Sequence, residues 1–221
     1  VSHLPLNGEA RAKFDEEAAQ EFFFAAEGLP YGYHNFIYGW VDTPRDNLPP
    51  GLPAELVPLV FAWLETFDRK MTDSIMTEGL NMRFGTKNLS LPEITQVAAE
   101  QDMSILDAYA MIEVQGWEYH DGRSFVCSAF VTALYKAAGL FDDYDINATE
   151  FTPRDVYQLA FFDETTPLPQ ECIDADADLP FCQLLGNYRM YLPHYNTITP
   201  YEHMNEHCTT IVPDYVRPEG C

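Results

Sequence analysis

Phe125-Val126-Cys127-Ser128-Ala129-Phe130-Val131-Thr132-Ala133-Leu134-Tyr135-Lys136-Ala137-Ala138-Gly139-Leu140 begins as a short apolar run and continues as a helix. Ala129 to Ala138 is rich in strong helix formers. Phe130, Val131, Leu134, Tyr135 and Ala138 recur at three- and four-residue intervals, so one face is apolar, and Gly139 is placed as the stop. Cys127 therefore falls in the first turn of a buried helix, behind the polar His120-Asp121-Gly122-Arg123-Ser124. A thiol there feels unpaired backbone N–H groups and the positive end of the helix dipole, which favour thiolate over thiol. Free cysteine is also among the most buried residue types, so spacing alone leaves nucleophile and core filler both open.

Moving outward, 221 residues with 47% hydrophobic and 14% aromatic content describe a globular chain with a sizeable core. Twelve Lys and Arg stand against 35 Asp and Glu, a formal charge of -23. That acidity repels phosphate backbones and anionic headgroups, which argues against nucleic acid and ordinary membrane surfaces as partners. No apolar run approaches the roughly 18 residues of a transmembrane segment.

Cysteine placement points to an oxidising compartment. Cys172, Cys182, Cys208 and Cys221 crowd a Pro-rich tail while Cys127 stands alone. Four clustered cysteines read as two disulfides with three possible connectivities, which the sequence does not choose between. The triplets Asn88-Leu89-Ser90 and Asn147-Ala148-Thr149 are glycosylation sequons. A start at Val1, with neither methionine nor leader, fits a mature chain whose signal peptide has been removed. The expected location is secreted or lumenal.

The remaining pattern is mixed. Residues 9–27 read as one helix with Phe14, Ala18, Phe22 and Ala25 on one side, ended by Gly28-Leu29-Pro30. Tyr31 to Val41, crowded with aromatic and β-branched residues, reads as a central strand, and the proline-rich Thr43 to Pro53 as a surface connection. A helix is expected from Ala54 to about Gly79, another after the N-cap Ser90, a short one from Ser104, and one opening at Thr152-Pro153. Trp117-Glu118-Tyr119 reads as extended and Tyr188 to Leu192 as a strand. Asp142-Asp143-Tyr144-Asp145 lacks the spacing and glycine of a calcium loop and reads as a solvated acidic turn.

A cysteine nucleophile needs a base, and the histidines are His3, His34, His120, His194, His203 and His207. His34 opens an aromatic-rich strand, where imidazole is not the usual filler and a sheet would fix its direction. A hydrogen-bonded core histidine is the alternative at that position. His120 precedes Cys127 by seven residues in a polar turn. His203 and His207 have the i, i+4 spacing of a metal pair, with Glu206 between them, but no third ligand accompanies them and Cys208 is wanted for a disulfide. Neither a metal nor a cofactor is expected, and there is no phosphate-binding glycine loop.

Phe125-Val126-Cys127-Ser128-Ala129-Phe130-Val131, closing with Ala138-Gly139, resembles the nucleophile segment of the circularly permuted branch of the papain-like, NlpC-type thiol hydrolase superfamily. Tyr33-His34-Asn35-Phe36-Ile37-Tyr38 is similar to that branch's histidine strand, and the order, histidine before cysteine, is the permuted one. The resemblance implies an α+β fold with an antiparallel sheet packed on the nucleophile helix, Cys127 as nucleophile and His34 as its base. A third polar group normally orients the imidazole. Asp42 is the first carboxylate downstream, but eight residues of strand at about 3.3 Å each span roughly 26 Å, so it serves only if the chain turns back near Gly39. Asp46, Glu118 and Asp121 remain open.

These readings converge on a papain-like domain over residues 1–166, followed by a disulfide-rich extension over 167–221 packed on the same domain. The expected function is a secreted thiol hydrolase or acyltransferase acting on an amide- or ester-containing substrate. The rival is a non-catalytic extracellular domain that binds a protein partner through an acidic, aromatic surface as part of a larger assembly.

Overall fold

The structure, a computed structural model, describes residues 2–33, 41–42, 52–53, 56–109, 123–141, 144, 146–183 and 190–201. Among these, helices dominate and the sheets are small. Strand β1 (Ser2–His3) pairs antiparallel with β4 (Cys182–Gln183), and β2 (Val41–Asp42) pairs parallel with β3 (Leu52–Pro53).

Two hydrophobic cores organise the described residues. The first is built around α7 (Cys127–Ala137) and joins Ala133, Phe141, Ile146, Phe151, Leu159, Phe161 and Phe162 to Leu179, Phe181, Leu192 and Tyr195. Segments from both ends of the chain share this core. Asn7 donates its backbone N–H to the Phe161 carbonyl at 2.8 Å, Leu6 bridges Phe162, and Ser2 Oγ meets the Tyr157 hydroxyl. Cys172, on the short helix α9 (Gln170–Ala175), is disulfide-bonded to Cys182 of β4 across a Cα–Cα distance of 5.2 Å. Of the three connectivities open to four tail cysteines, one contains this pair, and it leaves Cys208 and Cys221, both outside the described residues, for each other.

The second core packs Phe61 of α3 (Val57–Leu64) against Ile75 and Leu80 of α4 (Arg69–Arg83), Ile94 of α5 (Leu91–Glu100) and Ala108 of α6 (Ile105–Tyr109). The turn from α4 to α5 is held by buried Asn81. Its carboxamide donates to the carbonyls of Thr77 and Leu89 and accepts from the Leu89 N–H and the Thr86 hydroxyl. Ser90, the expected N-cap, then closes a capping box with Glu93.

Two expected helices are each broken by an internal cap. Residues 9–27 form α1 (Gly8–Lys13) and α2 (Glu16–Ala26), because Asp15 accepts from the Ala18 N–H and restarts the helix while Phe14 adopts extended backbone and packs on the first core. The helix expected over 54–79 divides into α3 and α4 for the same reason, with Asp68 accepting from the Met71 N–H. The helix at Thr152-Pro153 is present as α8 (Pro153–Gln158), capped reciprocally by Thr152 and Asp155.

The strand expected at Tyr188–Leu192 is not formed over its described part, Met190–Leu192. The Gln183 side chain instead takes both backbone groups of Met190, donating to its carbonyl at 3.1 Å and accepting from its N–H at 3.0 Å, and so replaces a ladder. The strand expected from Tyr31 to Val41 is not formed at its described start, where Tyr31 makes an isolated bridge to Phe125 and Tyr33, its N–H donating to the Tyr31 carbonyl at 2.9 Å, is already helical; 34–40 lie outside the described residues. So do residues 43–51, 117–119, 142–143 and 145.

Candidate functional site

Helix α7 places Cys127 at its first helical position, after Val126 with extended backbone (φ -88°, ψ 165°) and no side-chain cap. The first intrahelical bond runs from the Phe130 N–H to the Val126 carbonyl at 2.8 Å, so the amides of Cys127, Ser128 and Ala129 have no intrahelical acceptor. The far end is a Schellman motif: Gly139, at φ 84°, donates to the Lys136 carbonyl, and Leu140 donates to that of Tyr135. Lys136 also donates its Nζ to the Ile146 carbonyl at 2.6 Å. The helix is thus fixed at its C-terminal end and open at its N-terminal end.

Cys127 is a free, exposed thiol. It lies in the wall of a groove of about 260 Å³ lined also by Ala26, Leu29, Pro30, Tyr31, Phe125, Val126 and Phe130. The groove forms where the chain leaving α2 meets the chain entering α7. Tyr31 makes a parallel bridge to Phe125, and the Gly32 N–H donates to the Phe125 carbonyl at 2.8 Å. Phe22 of α2 packs edge-on against Phe125 at 5.7 Å and lies 5.7 Å from Phe130, which joins the two helices behind the groove.

Tyr31 is the polar neighbour of the sulfur. Its phenol stands within electrostatic reach of both the Cys127 side chain and the Cys127 backbone N–H. Burial first, then the adjacent Cys127 sulfur, pushes the Tyr31 phenol above its ordinary value, and the amide contact partly offsets them. The phenol therefore stands beside the helix-terminal amides that would receive an oxyanion. The sequence reading passed over Tyr31 because an aromatic in an aromatic-rich run looks like strand filler. The signal available was its place three residues before His34.

On the buried face of α7, Ser128 and Thr132 stand one turn apart, 4% and 0% exposed, and neither hydroxyl has a hydrogen-bond partner among the described residues. Their placement marks the side of the helix turned away from Cys127's groove.

Of the other expected site residues, His34 lies outside the described residues, as do His120, Glu118, Asp121, Asp46, His203, Glu206 and His207. Asp42 belongs to β2, where its backbone pairs with Pro53, and its side chain is not described. His3 pairs with Cys182 in the small sheet, and His194 is an exposed turn residue at φ 62°. Among the described residues no three His, Cys, Asp or Glu side chains converge as a metal site, and no helix is long and apolar enough to cross a membrane. Asn88 is exposed in a turn at φ 58°, whereas Asn147 is half-buried and accepts from the N–H and the hydroxyl of Thr149.

No protein family, no curated protein and no solved structure matches the chain.

Proposed function

We propose that the chain is an extracellular or lumenal thiol hydrolase or acyltransferase of papain-like design, acting on an amide or ester through Cys127. The observation that carries this reading is an exposed, unbridged thiol at the first position of α7, in the wall of a groove it shares with Tyr31. A structural cysteine has no need of that exposure, and free thiols are ordinarily buried.

In this mechanism a base removes the Cys127 proton and the sulfur attacks the substrate carbonyl carbon. A C–S bond forms, the carbonyl oxygen becomes an oxyanion held by the amides at the head of α7, and the tetrahedral species collapses with loss of the alcohol or amine, which leaves with the proton. Water, or an acceptor alcohol or amine, then attacks the thioester carbonyl. The thiol is regenerated, and the acid or the new acyl product departs. His34 is the proposed base and Asp42 the proposed orienting carboxylate, both from the family resemblance. The bridge between Tyr31 and Phe125 supports His34, since it brings the chain just before that histidine alongside the chain just before Cys127.

The test is labelling and turnover with a panel of thiol-reactive amide and ester probes, comparing wild type, Cys127→Ala and His34→Ala. Loss in both variants supports the pair. Turnover that survives Cys127→Ala ends the proposal.

A second reading, a non-catalytic extracellular binding domain, has one observation in its favour. Leu59, Trp63, Phe67 and Met71, at four-residue intervals along α3 and into α4, are 66%, 61%, 71% and 43% exposed, with the Trp63 and Phe67 rings 4.9 Å apart. This reading requires that wild type and Cys127→Ala behave alike on every probe and that Trp63→Glu alone abolishes association measured by light scattering.

A further inference from the structure

The groove beside Cys127 carries chemical information of its own. Among the described residues its lining is Ala, Leu, Pro, Val and two Phe, with Tyr31 and Cys127 supplying the polar atoms and no charged side chain. On a chain with a formal charge of -23, an uncharged wall is a selective feature. The apolar surface also continues past the groove. Phe130 lies 6.3 Å from Phe23, which lies 5.9 Å from Phe24, and these two rings are 52% and 66% exposed. On the other side Tyr33, 55% exposed, packs edge-on against Tyr31 at 5.2 Å. Aromatic rings left open to water on both flanks of a groove mark a place that covers apolar surface.

Size decides which part of a substrate is meant. The groove's volume of about 260 Å³ falls below the roughly 300 Å³ at which whole-ligand pockets begin. It therefore takes one portion of the substrate, and the portion next to the sulfur is the acyl side of the carbonyl under attack.

We infer that the groove and the Phe23–Phe24 ledge seat an uncharged, apolar acyl chain, so that the substrates are esters or amides of medium-chain carboxylic acids. This rests on the thiol reading above and narrows it. An acyl group carrying a carboxylate would lose its hydration against Leu29, Pro30, Val126 and Phe130 without gaining a partner. A bare acetyl group would leave the ledge uncovered.

The experiment compares kcat/KM of the full chain for p-nitrophenyl acetate, p-nitrophenyl octanoate and the p-nitrophenyl monoester of succinate, with octanoyl p-nitroanilide separating ester from amide. Octanoate is expected to exceed acetate by at least about tenfold, with the succinate ester the poorest. Leu29→Asp and Ala26→Trp, which charge and fill the groove, should each narrow the octanoate-to-acetate ratio by about fivefold or more. Equal rates, or a preference for the succinate ester, overturn the inference while Cys127-dependent turnover leaves the thiol reading standing. If neither an ester nor the anilide is turned over, the thiol reading fails, and the groove is then read by alkylation: peptide-resolved labelling of Cys127 by N-octyl iodoacetamide must outpace iodoacetamide by more than the ratio found for free cysteine. A ratio equal to that of free cysteine overturns the inference.

Discussion

Gly32 approaches Phe125 so closely that a Cβ on it would lie 3.0 Å from the Phe125 carbonyl carbon, 3.2 Å from its nitrogen and 3.2 Å from Ser124 Oγ. The neighbouring backbone cannot simply retreat, because the Gly32 N–H is bonded to the Phe125 carbonyl and Phe125 is two residues from the nucleophile. Gly32→Ala is expected to cost about 1–2 kcal/mol of stability, read as a lower urea midpoint. It should also slow alkylation of Cys127 in the folded protein. A variant that is destabilised but labels at the wild-type rate would show that this contact serves the fold and not the groove.

Tyr31 gives the second prediction. Its phenol stands beside both the Cys127 amide and the thiol, and Tyr31→Phe removes that hydroxyl while leaving the ring in place. If the phenol donates to the developing thiolate, labelling of Cys127 by iodoacetamide at neutral pH falls about threefold, and ester turnover falls with it. Should the phenol instead block the amide needed by an oxyanion, turnover rises while labelling still falls. Measuring both rates at several pH values decides between donor and plug.

How far the sequence carried this site can be judged from particular residues. The Cys127 helix was legible because its apolar spacing, its strong helix formers and the Gly139 stop all agree, and Gly139 indeed closes a Schellman motif. The helix starts at Ser90 and Thr152 were legible because a proline in the first turn, Pro92 and Pro153, follows each cap. Asp15 and Asp68 were missed as helix boundaries, since each caps a helix in the middle of an unbroken apolar period, where the period dominates the reading. The tail strand failed because Gln183, a side chain remote in sequence, satisfies the backbone of Met190. The groove itself was not legible, because it exists only where residues near 30 meet residues near 126.

The two sequons are expected to behave differently when the chain is expressed through a secretory route. Asn88 is exposed in a turn. Asn147 caps the 3₁₀ turn Ala148–Glu150, its carboxamide accepts from Thr149, and Ala148 and Thr149 are 1% and 7% exposed. A glycan on Asn147 would have to leave through that packed turn, so folded product carries one at Asn88 alone. Glycosidase treatment with site-resolved mass spectrometry of wild type, Asn88→Gln and Asn147→Gln checks this, and a glycan at Asn147 in the folded pool refutes it.

The last prediction concerns alkaline pH. Tyr195 is buried in the first core, stacked on Phe162 and tilted against Phe181 and Tyr157. Burial first, then the negative charge of Glu164 and the neighbouring Tyr157, pushes its phenol up to about 12 from an ordinary value of 10.0. A folded-state value above the unfolded one means that the stabilisation is complete below pH 10, where both states hold the proton. It drains away as pH rises from 10 to 12, because the unfolded chain releases the proton first. Tyr135 and Tyr201 are raised in the same sense, chiefly by burial, and share the effect. The urea midpoint should therefore be flat from about pH 8 to 10 and fall steeply above it. Tyr195→Phe removes the largest of these groups, and the fall between pH 10 and 12 should become shallower while the plateau keeps its apolar packing. An unchanged alkaline slope in that variant would mean that the Tyr195 hydroxyl reaches water in the native state, and that the limit on stability lies with Tyr135 and Tyr201.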